Sequence, residues 1–164
     1  MPLRVGIGTD SHRFSRDPSR KLMLGGVEIP STPGMVANSD GDVILHALCN
    51  ALATITGFTV LGPYADRLCL EKGVTDSSLY LVEALNRLEG YLITSVSIAV
   101  ECKRPKLIEF IPKIRGRIAA LLGIDAERVG LTATTGEELT AFGEGRGIHA
   151  TVIVAAVKEE ILGS

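Results

Sequence analysis

The sequence predicts an α+β protein, a two-layer sandwich in which helices cover one face of a mixed β-sheet. Two observations support this prediction. Apolar and β-branched segments typical of strands lie near both ends of the chain and in its middle. Between them, several stretches repeat apolar residues at helical spacing. The predicted order is therefore β-β-α-loop-α-β-α-β-β.

Length and composition indicate one domain over residues 1–164. A chain of 164 residues is long enough to bury most of its apolar surface in a single core. Because 46% of the residues are hydrophobic and only 4% are aromatic, we expect an aliphatic core.

Charge and hydropathy exclude several function classes. The formal net charge of −2 gives no general attraction to nucleic acid or to an anionic membrane, so an anion site must come from local geometry. No apolar run reaches membrane-spanning length, and the N-terminus resembles no signal or transit peptide. We expect a cytoplasmic protein, or one in an organelle stroma such as that of a plastid if a transit peptide has been removed. Cys49, Cys69 and Cys102 lack CxxC spacing and are expected to be free thiols.

The first half of the chain predicts two strands and a helix. Residues 3–10 alternate apolar and small residues, and their glycines allow another backbone to approach closely. Residues 22–29 form the second predicted strand, and we expect the two to pair as an antiparallel ribbon. Ser39 is the predicted N-cap of the helix, with Asp42 as a weaker capping-box partner, and Gly57 ends it.

The second half predicts two long helices, one short helix and three strands. Residues 58–73 are irregular, with one short helix at 66–71. The next helix begins at Asp76 or Ser77. A strong apolar stripe predicts a helix over residues 108–122, with Pro112 in its first turn. The predicted strands lie at residues 91–102, 129–135 and 148–157.

Three residues from two segments suggest a metal site. Asp10 and His12, two apart on a strand, project to the same side and can reach one ion. With His46 they offer two nitrogens and one oxygen, a common set for zinc with an open coordination position. Spacing alone leaves two alternatives open: a surface hydrogen-bonded pair, and a histidine satisfied on a helix face.

Two further segments suit phosphate. Thr134, Thr135 and Gly136 offer hydroxyls and a compact turn, and Glu137 can bind a hard divalent cation that bridges phosphates. An ordinary turn after a strand explains the same residues. Lys103-Arg104-Pro105-Lys106 places three cations at a strand end, which suits a polyanion, and the alternative is a solvated basic loop.

Six segments together resemble the 2-C-methyl-D-erythritol 2,4-cyclodiphosphate synthase family of the non-mevalonate isoprenoid pathway. They occur in the family's order and span almost the whole chain. The matching text is GTDSHRF, LGGVEIP, ANSDGDVILHALCNAL, TDS, CKRPKL and ATTGEELTAFGEGRGI.

The resemblance implies an α+β sandwich that assembles as a homotrimer, with three active sites between neighbouring subunits. Asp10, His12 and His46 would hold Zn²⁺, and a phosphate oxygen of the substrate would take the fourth position. Glu137 would bind the Mg²⁺ or Mn²⁺ that bridges the diphosphate of a cytidine nucleotide.

The resemblance also implies contacts to the substrate. Asn38 and Thr135 stand at positions that act on the reacting phosphates. The loop that follows Cys102 would enclose the cytosine, largely through backbone groups. The implied substrate-binding residues are Ser39, Gly62, Cys102, Lys103, Arg104, Pro105, Lys106, Thr134, Phe142 and Arg146.

The implied reaction is an intramolecular phosphoryl transfer. The 2-phosphate of 4-diphosphocytidyl-2-C-methyl-D-erythritol 2-phosphate attacks the β-phosphorus and expels CMP, which leaves a cyclic diphosphate. Such a step needs no protein nucleophile. It needs two metal ions that neutralise charge and hold the attacking and leaving oxygens in line.

Several positions depart from the family pattern. Asn38 replaces a histidine, Asn50 an aspartate, and Val60 the aspartate that holds the ribose, while Glu144 stands in an altered C-terminal loop. These departures support an alternative, a divergent zinc-binding trimer that binds a nucleotide or diphosphate with altered substrate choice or without catalysis. A third hypothesis is a different zinc-dependent phosphate-ester hydrolase.

Overall fold

The computed structural model describes residues 3–159 and contains one four-stranded mixed sheet and one two-stranded ribbon. Two short 3₁₀ turns, Ala126–Arg128 and Gly136–Glu138, flank the fifth strand. The strands are β1 (Leu3–Arg13), β2 (Lys21–Leu24), β3 (Val27–Pro33), β4 (Tyr91–Glu101), β5 (Val129–Thr134) and β6 (Gly147–Lys158). The helices are α1 (Val43–Thr56), α2 (Pro63–Lys72), α3 (Ser77–Asn86) and α4 (Ile111–Leu122).

The sheet has the strand order β1-β6-β4-β5, so β1 and β5 are its edges. β6 pairs antiparallel with β1 and β4, whereas β4 and β5 run parallel. Helix α1 packs on β1 and β6, and α4 packs beside β5. The predicted α+β sandwich with a mixed sheet is confirmed. Within residues 3–159, no helix is long and apolar enough to cross a membrane.

Helix α1 lies directly on the backbone of β1. A Cβ atom added at Gly8 would lie 2.1 Å from the carbonyl oxygen of Ala47, and one at Gly6 would lie 2.1 Å from that of Ala51. Only glycine permits so close an approach. The predicted close packing at these glycines is confirmed, and it brings the first turn of α1 beside the far end of β1.

Residues 22–29 do not form one strand, and the predicted ribbon with residues 3–10 is wrong. Gly25 and Gly26 both have positive φ, 59° and 74°, so the chain reverses there into the hairpin β2–β3. A two-residue turn of this kind matches the twist of a hairpin. The partner of β1 is instead β6, along the whole of both strands.

Ser39 is not the N-cap of α1, which corrects the prediction. The helix begins after Asp42, whose side chain accepts hydrogen bonds from the N–H groups of Ile44 (3.1 Å) and Leu45 (3.0 Å). The hydroxyl of Ser39 accepts the N–H of Gly41 instead, at 3.2 Å. Gly57 ends the helix, as predicted.

Three other boundaries refine the predictions. Helix α2 is longer than the short helix predicted at residues 66–71. Helix α3 begins after Asp76, whose carboxylate accepts the N–H of Ser78 at 2.8 Å. Helix α4 begins three residues later than Ile108, which is exposed, and it has Pro112 in its first turn as predicted.

The carboxylate of Asp42 joins the hairpin turn to α1. It is fully buried, and besides capping the helix it accepts the N–H groups of Gly25 (2.8 Å) and Gly26 (2.7 Å). Burial raises the pKa of Asp42, and the N–H groups of Gly26, Leu45 and Gly25 oppose that rise. One side chain therefore fixes both the turn and the start of the helix that carries His46.

We expect Asp42→Ala to lower the free energy of unfolding by about 3–5 kcal/mol, because each buried N–H left without an acceptor costs roughly 1–3 kcal/mol. Urea unfolding at one protein concentration, with a chelator present, measures the loss. Asp76→Ala is the matched control, since it removes one ordinary N-cap worth about 1 kcal/mol. Equal losses in the two variants would contradict the junction role of Asp42.

Candidate functional site

Asp10, His12 and His46 converge as the sequence predicted. One ligand atom from each lies within 4.8 Å of the others. Asp10 Oδ2 is 3.1 Å from both His12 Nε2 and His46 Nδ1, and the two imidazole nitrogens are 3.2 Å apart. Two imidazole nitrogens and one carboxylate oxygen around a single point fit a divalent ion such as zinc.

Strand parity and helix packing create this triad. On β1, Gly6 and Gly8 are buried against α1 and alternate with exposed Val5 and Ile7. Asp10 and His12 continue the helix-facing row, because side chains two apart share a face. Since α1 packs over Gly6 and Gly8, its first turn places His46 beside Asp10 and His12.

Hydrogen bonds from the two histidines favour the ionised carboxylate of Asp10. Burial opposes ionisation of Asp10, but hydrogen bonds and attraction from His12 and His46 outweigh it and lower the pKa of Asp10 well below its ordinary range. The hydrogen bond to Asp10 raises the pKa of His12, against the opposing effect of burial. An ionised Asp10 can bind a cation, and His12 can do so once its ring nitrogen is unprotonated.

The triad opens into a cavity of about 350 Å³. Three predicted site residues, Asn38, Ser39 and Gly62, line it together with the triad. The backbone oxygen of Asn38 accepts the thiol of Cys69 at 3.0 Å. The structure thus brings this part of the predicted site together around the metal ligands.

A second cavity, of about 520 Å³, lies beyond the end of β4 and β5. It is lined by most of the predicted nucleotide-contacting residues: Cys102, Lys103, Pro105, Lys106, Thr134 and Thr135. The guanidinium of Arg104 instead lies 5.4 Å from the ring centre of Phe14. Apolar Leu107, Ile108 and Leu131 complete the wall, so the cavity suits a flat base beside polar phosphates.

Glu137 lies in a smaller adjoining cavity of about 320 Å³, which shares Lys103 and Thr135 with the second one. Its backbone is left-handed, with φ 48°, as is that of Glu138, with φ 60°. Non-glycine residues rarely adopt this conformation, and such strain often marks a functional position. The turn exposes the Glu137 carboxylate, while that of Glu138 pairs with Lys103.

Phe142 and Arg146 lie in a fourth cavity, of about 340 Å³, with Ser11, His12 and Arg13. Phe142 stacks on His149 with ring centres 5.4 Å apart. Arg146 is exposed and pairs with Glu144 at 2.5 Å. His12 borders both this cavity and the triad cavity, so these two predicted residues lie close to the metal ligands.

Several residues at the triad cavity could not be predicted from the sequence. Asp66, Cys69 and Tyr80 line it, although nothing in their local pattern distinguishes them from ordinary helix residues. Val60, at the position where the resemblance implied a ribose-binding aspartate, is only 1% exposed and belongs to the core. Asn50 donates to the carbonyl oxygen of Thr9 at 3.0 Å and so ties α1 to β1.

The triad and Glu137 lie at the same end of the sheet but at opposite edges. One row of paired residues crosses the sheet: Ser11 on β1, His149 on β6, Glu101 on β4 and Thr134 on β5. Neighbouring strands are about 4.8 Å apart, so β1 and β5 are separated by roughly 14 Å along this row. Two metal ions that share one reaction centre lie only about 4 Å apart.

A model of the YgbB family matches residues 3–157. A 2-C-methyl-D-erythritol 2,4-cyclodiphosphate synthase from Chlamydia trachomatis serovar L2b is 45% identical over 157 residues, covering 94% of this chain and 88% of that protein. The enzyme of the same name from Chlamydia muridarum is 43% identical over 157 residues, again covering 94% and 88%.

Solved structures show the same fold. A 2C-methyl-D-erythritol-2,4-cyclodiphosphate synthase in a CDP-bound form has a TM-score of 0.80 and 33% identity, covering 93% of this chain and 99% of that chain. The bifunctional IspDF from Campylobacter jejuni has a TM-score of 0.86 and 30% identity, and the match covers 95% of this chain but 42% of that longer chain.

We expect zinc uptake to release protons increasingly as the pH falls through the pKa of His12, which the hydrogen bond to Asp10 raises, because zinc needs the unprotonated ring. Zinc affinity should fall as pH decreases below that pKa, by up to about tenfold per pH unit. Calorimetric titration in buffers of different ionisation enthalpy measures the proton release. His149→Ala should leave it unchanged, whereas unchanged release in His12→Ala would contradict the assignment.

Proposed function

The chain belongs to the YgbB family, and on this premise we propose that it converts 4-diphosphocytidyl-2-C-methyl-D-erythritol 2-phosphate to 2-C-methyl-D-erythritol 2,4-cyclodiphosphate and CMP. It is a lyase of isoprenoid precursor synthesis by the non-mevalonate pathway. The observation that carries this proposal is the convergence of Asp10, His12 and His46 at a cavity in a chain 45% identical to a synthase of that name.

The reaction exchanges one phosphorus–oxygen bond for another. An oxygen of the 2-phosphate forms a bond to the β-phosphorus, while the bond from that phosphorus to the bridging oxygen of CMP breaks. The leaving CMP keeps the bridging oxygen and its electron pair, so the step needs no protein nucleophile. The protein must align the attacking and leaving oxygens and neutralise their charge.

The triad would hold Zn²⁺ with one coordination position open to a phosphate oxygen. A metal ion there supplies Lewis acidity and offsets the charge of the substrate phosphates. Asn38, on the wall of the same cavity, offers a hydrogen-bond donor without charge. The guanidinium of Arg20 donates to the Ser39 carbonyl at 2.5 Å, so a positive charge lies beside this wall of the cavity.

Glu137 would bind Mg²⁺ or Mn²⁺ at the α- and β-phosphates, since an exposed carboxylate beside hydroxyls is the ligand set that hard cations prefer. Thr134 and Thr135 are exposed at the same strand end and can donate to phosphate oxygens. The cavity lined by Pro105, Leu107 and Ile108 would take the cytosine.

A homotrimer would complete this site. The triad and Glu137 follow edge strands whose backbones are roughly 14 Å apart, whereas two metal ions on one diphosphate lie about 4 Å apart. A second copy can bring its own Glu137 and base cavity to the triad. The sheet face opposite the helices supports such assembly, because it exposes a row of apolar side chains: Leu3, Val5, Ile7, Leu92 and Ile153.

The partners we propose are a cytidine diphosphate substrate and two further copies of the chain. The cytoplasm, or an equivalent stroma, is the proposed location because it would supply a phosphorylated metabolite to the enzyme.

We expect phosphorus NMR to show CMP and the cyclic diphosphate when the protein meets the cytidyl substrate with Zn²⁺ and Mg²⁺. Glu137→Gln should raise the Mg²⁺ concentration for half-maximal rate by at least about tenfold, since it removes a charged metal ligand. Glu138→Gln is the matched control and should keep the wild-type requirement. Absence of both products at high protein concentration would rule out the proposed reaction.

We expect light scattering after gel filtration to give a particle of three 17.4 kDa chains. Ile7→Asp should dissociate it, because it buries a charge in the proposed interface, and should abolish activity while zinc stays bound. Val82→Asp, at a similarly exposed position on α3, is the control and should remain trimeric. A monomeric wild type would contradict the shared site.

A zinc-binding trimer without turnover is the second candidate, favoured by one observation. Val60 is packed into the core, so the position of the family's ribose-binding aspartate offers no polar group to a ligand. This candidate requires zinc binding and thermal stabilisation by CDP without release of CMP from the substrate, and product formation excludes it.

A further inference from the structure

Half-buried Asp40 and fully buried Ser77 lie behind His46, on the side away from Asp10 and His12. The hydroxyl of Ser77 is 2.8 Å from His46 Nε2 and also hydrogen-bonds Asp40 Oδ1. Asp40 Oδ2 accepts the backbone N–H of Ser77 at 3.0 Å. Ser77 is fully buried, so water does not compete for these contacts.

We propose that the Asp40–Ser77 pair positions His46 for metal binding by fixing which ring nitrogen faces the triad. An ionised carboxylate only accepts hydrogen bonds, so Ser77 must donate its one hydroxyl proton to Asp40. The Ser77 oxygen then accepts from Nε2–H of His46. A metal ion binds the neutral imidazole, which carries one proton, so Nδ1 would offer its lone pair to an ion held beside Asp10 and His12.

The local structure holds this pair in one arrangement. Asp40 also accepts the N–H of Asp42 at 3.1 Å, and its own N–H donates to the carbonyl oxygen of Thr75 at 2.9 Å. The loop before α1 and the first residue of α3 are therefore locked together behind His46. The hydroxyl of Ser39 lies farther from Nε2, at 3.3 Å, and is a weaker partner.

This arrangement extends the metal site beyond its three ligands. In metalloproteins, partners that orient a ligating histidine typically change metal affinity by about 10–100-fold when removed. The inference rests on the zinc ion of the proposed function. It concerns only the orientation of His46 and does not depend on which reaction the site catalyses. Asp40 and Ser77 are positioning residues, since they act on the ion only through His46.

Ser77→Ala tests the proposal cleanly, because it removes the hydroxyl and keeps the backbone N–H that binds Asp40. We expect zinc affinity, measured by competition with a chromophoric chelator, to weaken about 10–100-fold. The visible spectrum of the Co²⁺-substituted protein should change in intensity as the geometry at His46 relaxes. Ser77→Thr should restore both readouts, since it returns the hydroxyl.

Ser78→Ala is the matched control. Ser78 is also buried at the start of α3, but its backbone N–H is held by Asp76. It should keep wild-type zinc affinity and cobalt spectrum, and urea midpoints of both variants report any general loss of stability. Equal effects in Ser78→Ala and Ser77→Ala would overturn the proposal, as would unchanged metal binding in Ser77→Ala.

The outcomes separate this inference from the proposed function. Weak zinc binding in Ser77→Ala supports the positioning role even if the wild type releases no CMP. Product formation by the wild type, with identical zinc binding in Ser77→Ala, would support the reaction and overturn the positioning role. Activity of Ser77→Ala should recover at excess zinc, because the variant weakens occupancy of the site and leaves the substrate contacts intact.

Discussion

The buried carboxylate of Asp42 is the interaction on which the arrangement of the site depends. A buried anion is tolerated only where donors replace the water it has lost. Four backbone N–H groups do so here, two from the turn of the hairpin β2–β3 and two from the first turn of α1. Since all four donors belong to the backbone of the turn or the helix, the carboxylate holds hairpin and helix together, and His46 follows four residues later.

Direct contact between α1 and β1 then fixes the position of His46 relative to Asp10 and His12. The absence of Cβ atoms at Gly6 and Gly8 lets α1 touch the backbone of β1, and Asn50 adds a hydrogen bond across the same contact. Asp10 and His12 extend the strand beyond the glycines. The three ligands therefore come from two rigid elements in contact, which is a more accurate way to position a site than a loop.

Elements with a strong local pattern could be predicted from the sequence. The apolar stripe of α4 has a clear helical period, and β4 is rich in β-branched residues. Both elements were predicted within three residues at each end. The hairpin was missed, although Gly25-Gly26 between alternating apolar residues is a hairpin signal. The pairing of β1 with β6 joins the two ends of the described chain, and no local pattern specifies it.

The site shows the same division. Residue type and strand parity predicted that Asp10 and His12 share a face. Residue type also suggested His46 as the third ligand, and the family resemblance implied its place beside them. The role of Ser77 could not be predicted, because a serine at a helix start is also an ordinary capping residue, and its contact with His46 depends on tertiary packing. Val60 departs from the family pattern in the sequence, but only its burial in the structure shows that it belongs to the core.

The placement of the triad and Glu137 at opposite edges has an evolutionary consequence. In the proposed trimer, each reaction centre takes its zinc ligands from one copy and its second cation ligand from another. A mutation in the half that carries the triad and one in the half that carries Glu137 would therefore damage a centre from different subunits. Two chains with different halves mutated can form one intact centre together. Selection therefore acts on the two sheet edges together. Whether a substitution at one edge is tolerated depends on the residues at the other edge.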